Sequence, residues 1–262
     1  MRSICVTNDD GPHSRGLLAL VNSLSRIAAV TVIVPDGQRS ATGKGLTLNR
    51  PLRMREIERS DGYRFLIHDG TPADSVVLAS HVMERIDLVV SGINAGGNLG
   101  YQSLFTSGTV GAAYEAALRG HPAVAVSMET TPDEWFDHAG GGGDVETASR
   151  ITADIVARVL RFGLPEGIDL LNLNFPSTLT KDTKIVVTRP TRVRHHNRID
   201  ARVDPYGRRY FWFVGEEVEP LPGTDAHVVL KMGDISISPI VVNGVHEDNL
   251  EAALEFIQRP LS

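Results

Sequence analysis

Asp9 and Asp10 are adjacent carboxylates in the run Thr7-Asn8-Asp9-Asp10-Gly11, close to the start of the chain. Neighbouring negative charges repel, and both stay ionised only where water or a cation compensates them. A bound divalent metal is the simplest compensation. The bland alternative is a turn with Gly11 and a helix cap, both of which favour Asp, but one carboxylate would serve for that. Ser3 to Thr7 reads as a buried strand and the helical pattern begins only near Gly16, so the pair occupies a loop at a strand's carboxyl end. That edge of an α/β sheet is where ligands bind.

Other polar groups fall at the same edge. Ile33-Val34-Pro35-Asp36-Gly37-Gln38-Arg39-Ser40 closes the second strand, and neighbouring first and second strands let Ser40 face the aspartates with a hydroxyl; a solvent-exposed loop serine is the alternative. Asp36 is placed to read a ribose hydroxyl as in dinucleotide folds, yet Asn8-Asp9-Asp10 would repel the pyrophosphate that such folds receive on a Gly-rich turn. Gly43-Lys44 fails as a P-loop, because the first required glycine falls at Gln38 and Gly45 follows the lysine. Lys44 reads as a phosphate contact or, equally, as a solvated lysine. Ser91-Gly92-Ile93-Asn94-Ala95-Gly96-Gly97-Asn98-Leu99-Gly100 follows another apolar run. Asparagines there can give a metal a neutral oxygen and a phosphate its amide donors. Ser107-Gly108-Thr109 opens a helix, where free amides, two hydroxyls and the helix dipole form an anion site, with Ser107 also the N-cap. His13 lies near the acidic loop, either as an acid toward a leaving group or as an exposed loop histidine. No serine sits in a nucleophile elbow, which argues against a Ser-His-Asp hydrolase.

The elements that must position these residues alternate. Apolar strand-like runs at Ile4 to Val6, Val30 to Val34, Phe65 to Ile67, Ile86 to Val90, Ala123 to Val126 and Leu170 to Leu173 are separated by helical stretches. Leu17, Leu18, Val21, Leu24, Ile27 and Ala28 carry the first helix; Thr71-Pro72-Ala73-Asp74 opens the second with an N-cap, an N1 proline and a third-position acid. Val110 to Leu118 and roughly Val145 to Leu160 supply two more. Such alternation implies a three-layer α/β fold with a mostly parallel, Rossmann-like sheet. The glycine run Gly140 to Gly143, after Trp135, reads as a surface connection. Beyond Pro190 the pattern changes: Arg192 to Arg208 is basic and turn-rich, Tyr210 to Val214 and Ile235 to Ile240 look like hairpin strands, and a final helix spans about Glu247 to Gln258. We therefore divide the chain into an α/β domain, 1–190, and a C-terminal extension, 191–262, whose apolar content suits packing on a partner subunit or on the core.

Bulk properties bound the function. At 262 residues the chain can bury a substantial core, and a formal charge of −6 argues against nucleic-acid polymers or anionic membranes. Cys5 is the only cysteine, so no internal disulfide or cysteine-based zinc site forms, and it reads as a small buried hydrophobe. With a strand at the amino terminus and no apolar run near the ~20 residues of a membrane span, a cytoplasmic location is expected.

The chain resembles the SurE-type survival proteins, metal-dependent 5′/3′-nucleotidases. The resemblance runs through Thr7-Asn8-Asp9-Asp10-Gly11, Pro35-Asp36 with Arg39-Ser40, Leu46-Thr47-Leu48, Gly70-Thr71-Pro72-Ala73-Asp74, the Ser91 to Gly100 loop and Ser107-Gly108-Thr109-Val110. It resumes at Pro222-Gly223-Thr224-Asp225 and Ile235-Ser236-Ile237-Ser238-Pro239. It implies metal ligands at Asp9, Asp10, Ser40 and Asn94, and a C-terminal hairpin and helix exchanged between subunits of a homodimer or homotetramer. Lys44 departs from it, since members often carry a small polar residue such as Asn there. The resulting expectation is hydrolysis of nucleoside monophosphates with one Mg²⁺ or Mn²⁺, which suit an all-oxygen ligand set. Asp9 or Asp10 would orient the attacking water, a covalent aspartyl-phosphate being the other route; Asn98, Ser107, Gly108, Thr109 and Lys44 would hold phosphate. The rivals are a metal-dependent nucleotide or nucleotide-sugar binding or transfer protein without monoesterase activity, and a non-enzymatic scaffold.

Overall fold

The computed structural model describes residues 1–57, 63–130, 144–244 and 247–259; the glycine run Gly140 to Gly143 and Trp135 lie outside them. The chain begins with β1 (Ser3–Thr7), α1 (Arg15–Leu24), β2 (Ala29–Pro35), β3 (Met54–Ile57), β4 (Arg64–His68) and α2 (Pro72–Val82). β5 (Leu88–Ala95), α3 (Gly100–Thr106), α4 (Gly108–Leu118), β6 (Ala123–Met128), α5 (Val145–Phe162) and β7 (Leu170–Phe175) follow. The remainder holds β8 (Ile185–Val187), β9 (His195–Val203), β10 (Arg209–Glu217), a helical turn at Asp225–His227, a π-helical turn at Val228–Met232, β11 (Ile235–Ile240) and α6 (Glu247–Gln258).

Nine strands form one sheet in the order β3-β4-β2-β1-β5-β6-β7-β11-β8. From β4 to β7 every neighbour pair is parallel, while β3 pairs antiparallel with β4 and β11 antiparallel with β7. Alternation within a strand serves two cores: Ile4 and Val6 pack with α1 and α5 on one face, Cys5 with α2 and α4 on the other. This is the expected three-layer fold. Because β1 contacts β2 on one side and β5 on the other, the direction of winding reverses at β1, the switch point where such sheets bind ligands.

Local chemistry starts the helices as anticipated. The Thr71 hydroxyl accepts from the Asp74 amide, and Asp74 in turn accepts from the Thr71 amide, closing a capping box with Pro72 in the first turn. Cys5 is wholly buried, and burial pushes its thiol up to about 12, so it stays a protonated packing residue.

The C-terminal part departs from expectation in two places. The basic stretch read as turn-rich contains β9, which pairs antiparallel with β10 from His195↔Glu217 to Val203↔Arg209 as a separate two-stranded sheet. Ile235 to Ile240, grouped with the extension, lies inside the main sheet between β7 and β8. Its Ser236 and Ser238 alternate with apolar residues, a local pattern shared by hairpin and core strands alike. Phe211, Trp212 and Phe213 on β10 and Leu250, Leu254, Phe256 and Ile257 on α6 are all exposed.

Buried His68 sits at the carboxyl end of β4, where its Nδ1 accepts from the Gly70 amide and its Nε2 meets the Ser75 hydroxyl at 2.7 Å. Burial, against the pull of Asp74, Asp69 and Asp36, lowers its pKa to about 4. Between pH 6.5 and 4 the unfolded chain binds a proton there that the native one does not, so this stability is full above pH 6.5 and falls as pH drops, by up to about 3 kcal/mol. Asp10, raised to about 7, acts with the opposite sign over that range, so the variant comparison isolates the histidine. His68→Gln should flatten the acid slope of the denaturant midpoint relative to wild type; parallel profiles would show that His68 is not buried as a neutral ring.

Candidate metal and phosphate site

At the carboxyl edge around β1 lies a cavity of about 740 Å³, and Asp9, Asp10, His13, Ser40, Asn94, Asn98 and Ser107 are among its lining residues. The first loop is shaped by Asn8, whose Nδ2 donates to the Gly11 carbonyl and whose Oδ1 accepts from the Gly11 amide. That places the two aspartates successively past the strand end, Asp9 buried and Asp10 partly so. The Thr109 hydroxyl donates to Asp9 Oδ1, and the Ala95 amide donates to Asp10 Oδ2 at 3.3 Å. What acts on the pair is burial, mutual repulsion and hydrogen bonding, with no ion pair to a Lys, Arg or His among the described residues.

The electrostatic consequence is a raised pKa at both. Burial lifts Asp9, partly offset by the Thr109 hydroxyl and by the Thr109 and Gly108 amides. Asp10 rises to about 7, first from burial and then from the Asp9 charge. A cation beside such a pair would favour the ionised form of both carboxylates.

The neighbouring strands add neutral oxygens. The β5–β6 register shifts between Ser91 and Asn94, and Gly92 (φ 136°) lies in that irregularity, where a Cβ would come 2.2 Å from the Val126 carbonyl oxygen. Asn94 Nδ2 donates to the Gly96 carbonyl at 2.6 Å, so that Oδ1 is the side-chain atom able to act as a neutral oxygen ligand. Ser40 follows Arg39, whose amide donates to the Asp9 carbonyl at 2.7 Å and so holds the second loop against the first. Two carboxylates, an amide oxygen and a hydroxyl line this edge as an all-oxygen set, and no group of three His, Cys, Asp or Glu placed to hold a metal ion occurs among the described residues. This chemistry fits a hard divalent ion and not zinc.

The anion half divides in an unforeseen way. Ser107 caps α4 by accepting from the Val110 amide, and it lines the cavity. Gly108 and Thr109 instead face Asp9: a Cβ on Gly108 would stand 2.9 Å from both Asp9 Cβ and Oδ2. Asn98 borders the cavity with its Nδ2 donating to Ser127 Oγ at 2.7 Å, and its backbone is tied to Asn172 and Asn174 of β7. Lys44 is not among the lining residues; its Nζ pairs with buried Glu115 of α4 at 2.5 Å. Asp36 borders the cavity while paired with Arg39 at 2.5 Å. His13 is exposed at the mouth.

Glu129 was missed by the sequence reading. It lines the cavity just past β6, and Arg194, immediately before β9, pairs with it at 2.9 Å and also donates to the Gly97 carbonyl. Its position after a strand at the ligand edge was the available signal; no local pattern joins it to an arginine 65 residues away.

A switch-point site of this kind defines a class: Rossmann-like α/β proteins whose ligand site lies on loops at the sheet's carboxyl edge. Within it, the family model for survival protein SurE matches residues 4–197. A 5′-nucleotidase SurE of Thermococcus kodakarensis is 42% identical over 251 residues, covering 95% of each chain. One of Pyrobaculum arsenaticum is 39% identical over 241 residues, covering 92% of this chain and 90% of that one. The crystal structure of the SurE protein from Aquifex aeolicus superposes with a TM-score of 0.81 at 33% identity, covering 98% of this chain and all of that one. The chain belongs to the SurE survival-protein family.

Proposed function

We propose that this protein is a metal-dependent phosphomonoesterase that hydrolyses nucleoside 5′- and 3′-monophosphates to nucleoside and phosphate. The observation that carries the reading is the adjacent carboxylate pair Asp9-Asp10, lodged in a cavity beside the capped start of α4. The relatives named 5′-nucleotidase support the substrate class. Asp9, Asp10, Asn94 Oδ1 and Ser40 Oγ would hold one Mg²⁺ or Mn²⁺. When bound, such an ion supplies charge neutralisation and a water of lowered pKa.

The chain's own groups do the rest. Thr109 and the α4 amides fix Asp9, and the Ala95 amide fixes Asp10, so that one carboxylate can orient the attacking water. Ser107 and Asn98 meet the phosphoryl oxygens from the cavity wall. In phosphoryl transfer, positioning and charge neutralisation provide most of the acceleration. The exposed apolar residues of β10 and α6 suit assembly into a homo-oligomer.

Chelation should lower phosphate release from nucleoside monophosphates by about a hundredfold or more, with Mg²⁺ or Mn²⁺ restoring it. The same assay over nucleotides, sugar phosphates and short polyphosphate defines the substrate class. Metal-independent release, or tight nucleotide binding without any release, would reject the proposal.

A further inference from the structure

We infer that Lys44 is a positioning residue: its ion pair with Glu115 clamps the Ser40 loop onto α4, setting metal affinity without touching phosphate. The inference rests on the proposed role of Ser40 as a metal ligand. Three observations converge on it. Glu115 is 4% exposed and is gripped by two cations, Lys44 Nζ at 2.5 Å and Arg119 Nε at 2.6 Å. Because Arg119 is the C-cap of the same helix, one turn further along, of these two cations only Lys44 ties Glu115 to a different segment of the chain.

The loop is also built to lie against α3 and α4 at that point. The Gly43 amide donates to the Thr106 carbonyl at 2.8 Å. Gly111 lacks the Cβ that would otherwise come 2.2 Å from the Gly43 carbonyl oxygen, so helix and loop backbones touch. Ser40 itself is exposed and sits between two anchors, the Arg39 amide on the Asp9 carbonyl and the Gly43 amide on Thr106. Lys44 adds the third anchor, and its amine is committed to a buried acid outside the cavity lining. An exposed hydroxyl contributes to ion binding in proportion to how far its loop is already ordered.

The test measures Mn²⁺ binding by electron paramagnetic resonance of the free ion, and KM for a nucleoside monophosphate at saturating Mn²⁺. Lys44→Met and Glu115→Gln should each weaken Mn²⁺ binding about three- to tenfold, with KM at saturating Mn²⁺ within about twofold of wild type. The double variant should lose no more than either single one, the signature of one shared interaction. Arg119 still neutralises Glu115 in Lys44→Met, and thermal midpoints check that each variant folds. Ser40→Ala should weaken Mn²⁺ binding and abolish any further effect of Lys44→Met. If Ser40→Ala weakens binding but Lys44→Met does not, the clamp fails and the ligand assignment stands. If Ser40→Ala leaves Mn²⁺ affinity unchanged, both fail. Unchanged Mn²⁺ affinity with a raised KM in Lys44→Met would return the lysine to substrate phosphate and overturn the inference.

Discussion

Asp9→Asn should cut turnover of nucleoside monophosphates by roughly a thousandfold or more while the metal-free protein stays folded, with a thermal midpoint equal to or above that of wild type. The two halves of this expectation have one cause. Asp9 and Asp10 are carboxylates whose ionised forms burial disfavours, and the Asp9 charge contributes to raising Asp10 to about 7. A neutral amide of the same shape keeps an acceptor oxygen for the Thr109 hydroxyl and removes the repulsion. The fold gains or breaks even, and the ion loses a charged ligand. Circular dichroism melts with chelator, beside phosphate-release kinetics with Mn²⁺, check both. A structural carboxylate would behave in reverse, with a lowered midpoint and near-normal turnover, and that result would remove Asp9 from the chemistry.

Gly108→Ala should lower kcat/KM by about a hundredfold and cost about 1–3 kcal/mol of stability, although alanine is the better helix former. The new Cβ would meet Asp9 Cβ and Oδ2 at 2.9 Å and Thr42 Oγ1 at 3.0 Å. Contacts that short force a shift, and what can shift is either the carboxylate or the start of α4. Each movement separates Asp9 from the amides and hydroxyl that orient it, and displacements near 1 Å cost such factors in positioned reactions. Denaturant melts and Mn²⁺ titration of the variant measure the two effects. Full activity would mean that the α4 terminus can retreat without consequence, and that its closeness to Asp9 is incidental.

Much of this molecule is legible from local sequence. The six strands of the parallel array appear as short apolar runs, the second helix announces itself at Thr71-Pro72-Ala73-Asp74, and the acidic pair falls at a strand end. β3 and β8 escape, being three or four residues long without a fully buried position. So does α3, whose Gly100 start looks like more of the glycine-rich loop. Among site residues, the edge rule places Asp9, Asp10, Ser40, Asn94, Asn98 and Ser107 around one cavity. It fails for Lys44 and Thr109, whose polar atoms belong to Glu115 and Asp9.

The sequence alone determined the alternation of strand and helix, the sheet edge at which the acids emerge and the supply of oxygen ligands around them. These depend on hydrophobic period, turn chemistry and residue type, all of which act within a few residues. The tertiary structure alone decided which groups meet: Thr109 with Asp9 across 100 residues, Glu129 with Arg194 across 65, and Ile235–Ile240 inside the main sheet. Such meetings follow from how helices and strands pack, and packing depends on the whole set of buried surfaces rather than on any local stretch.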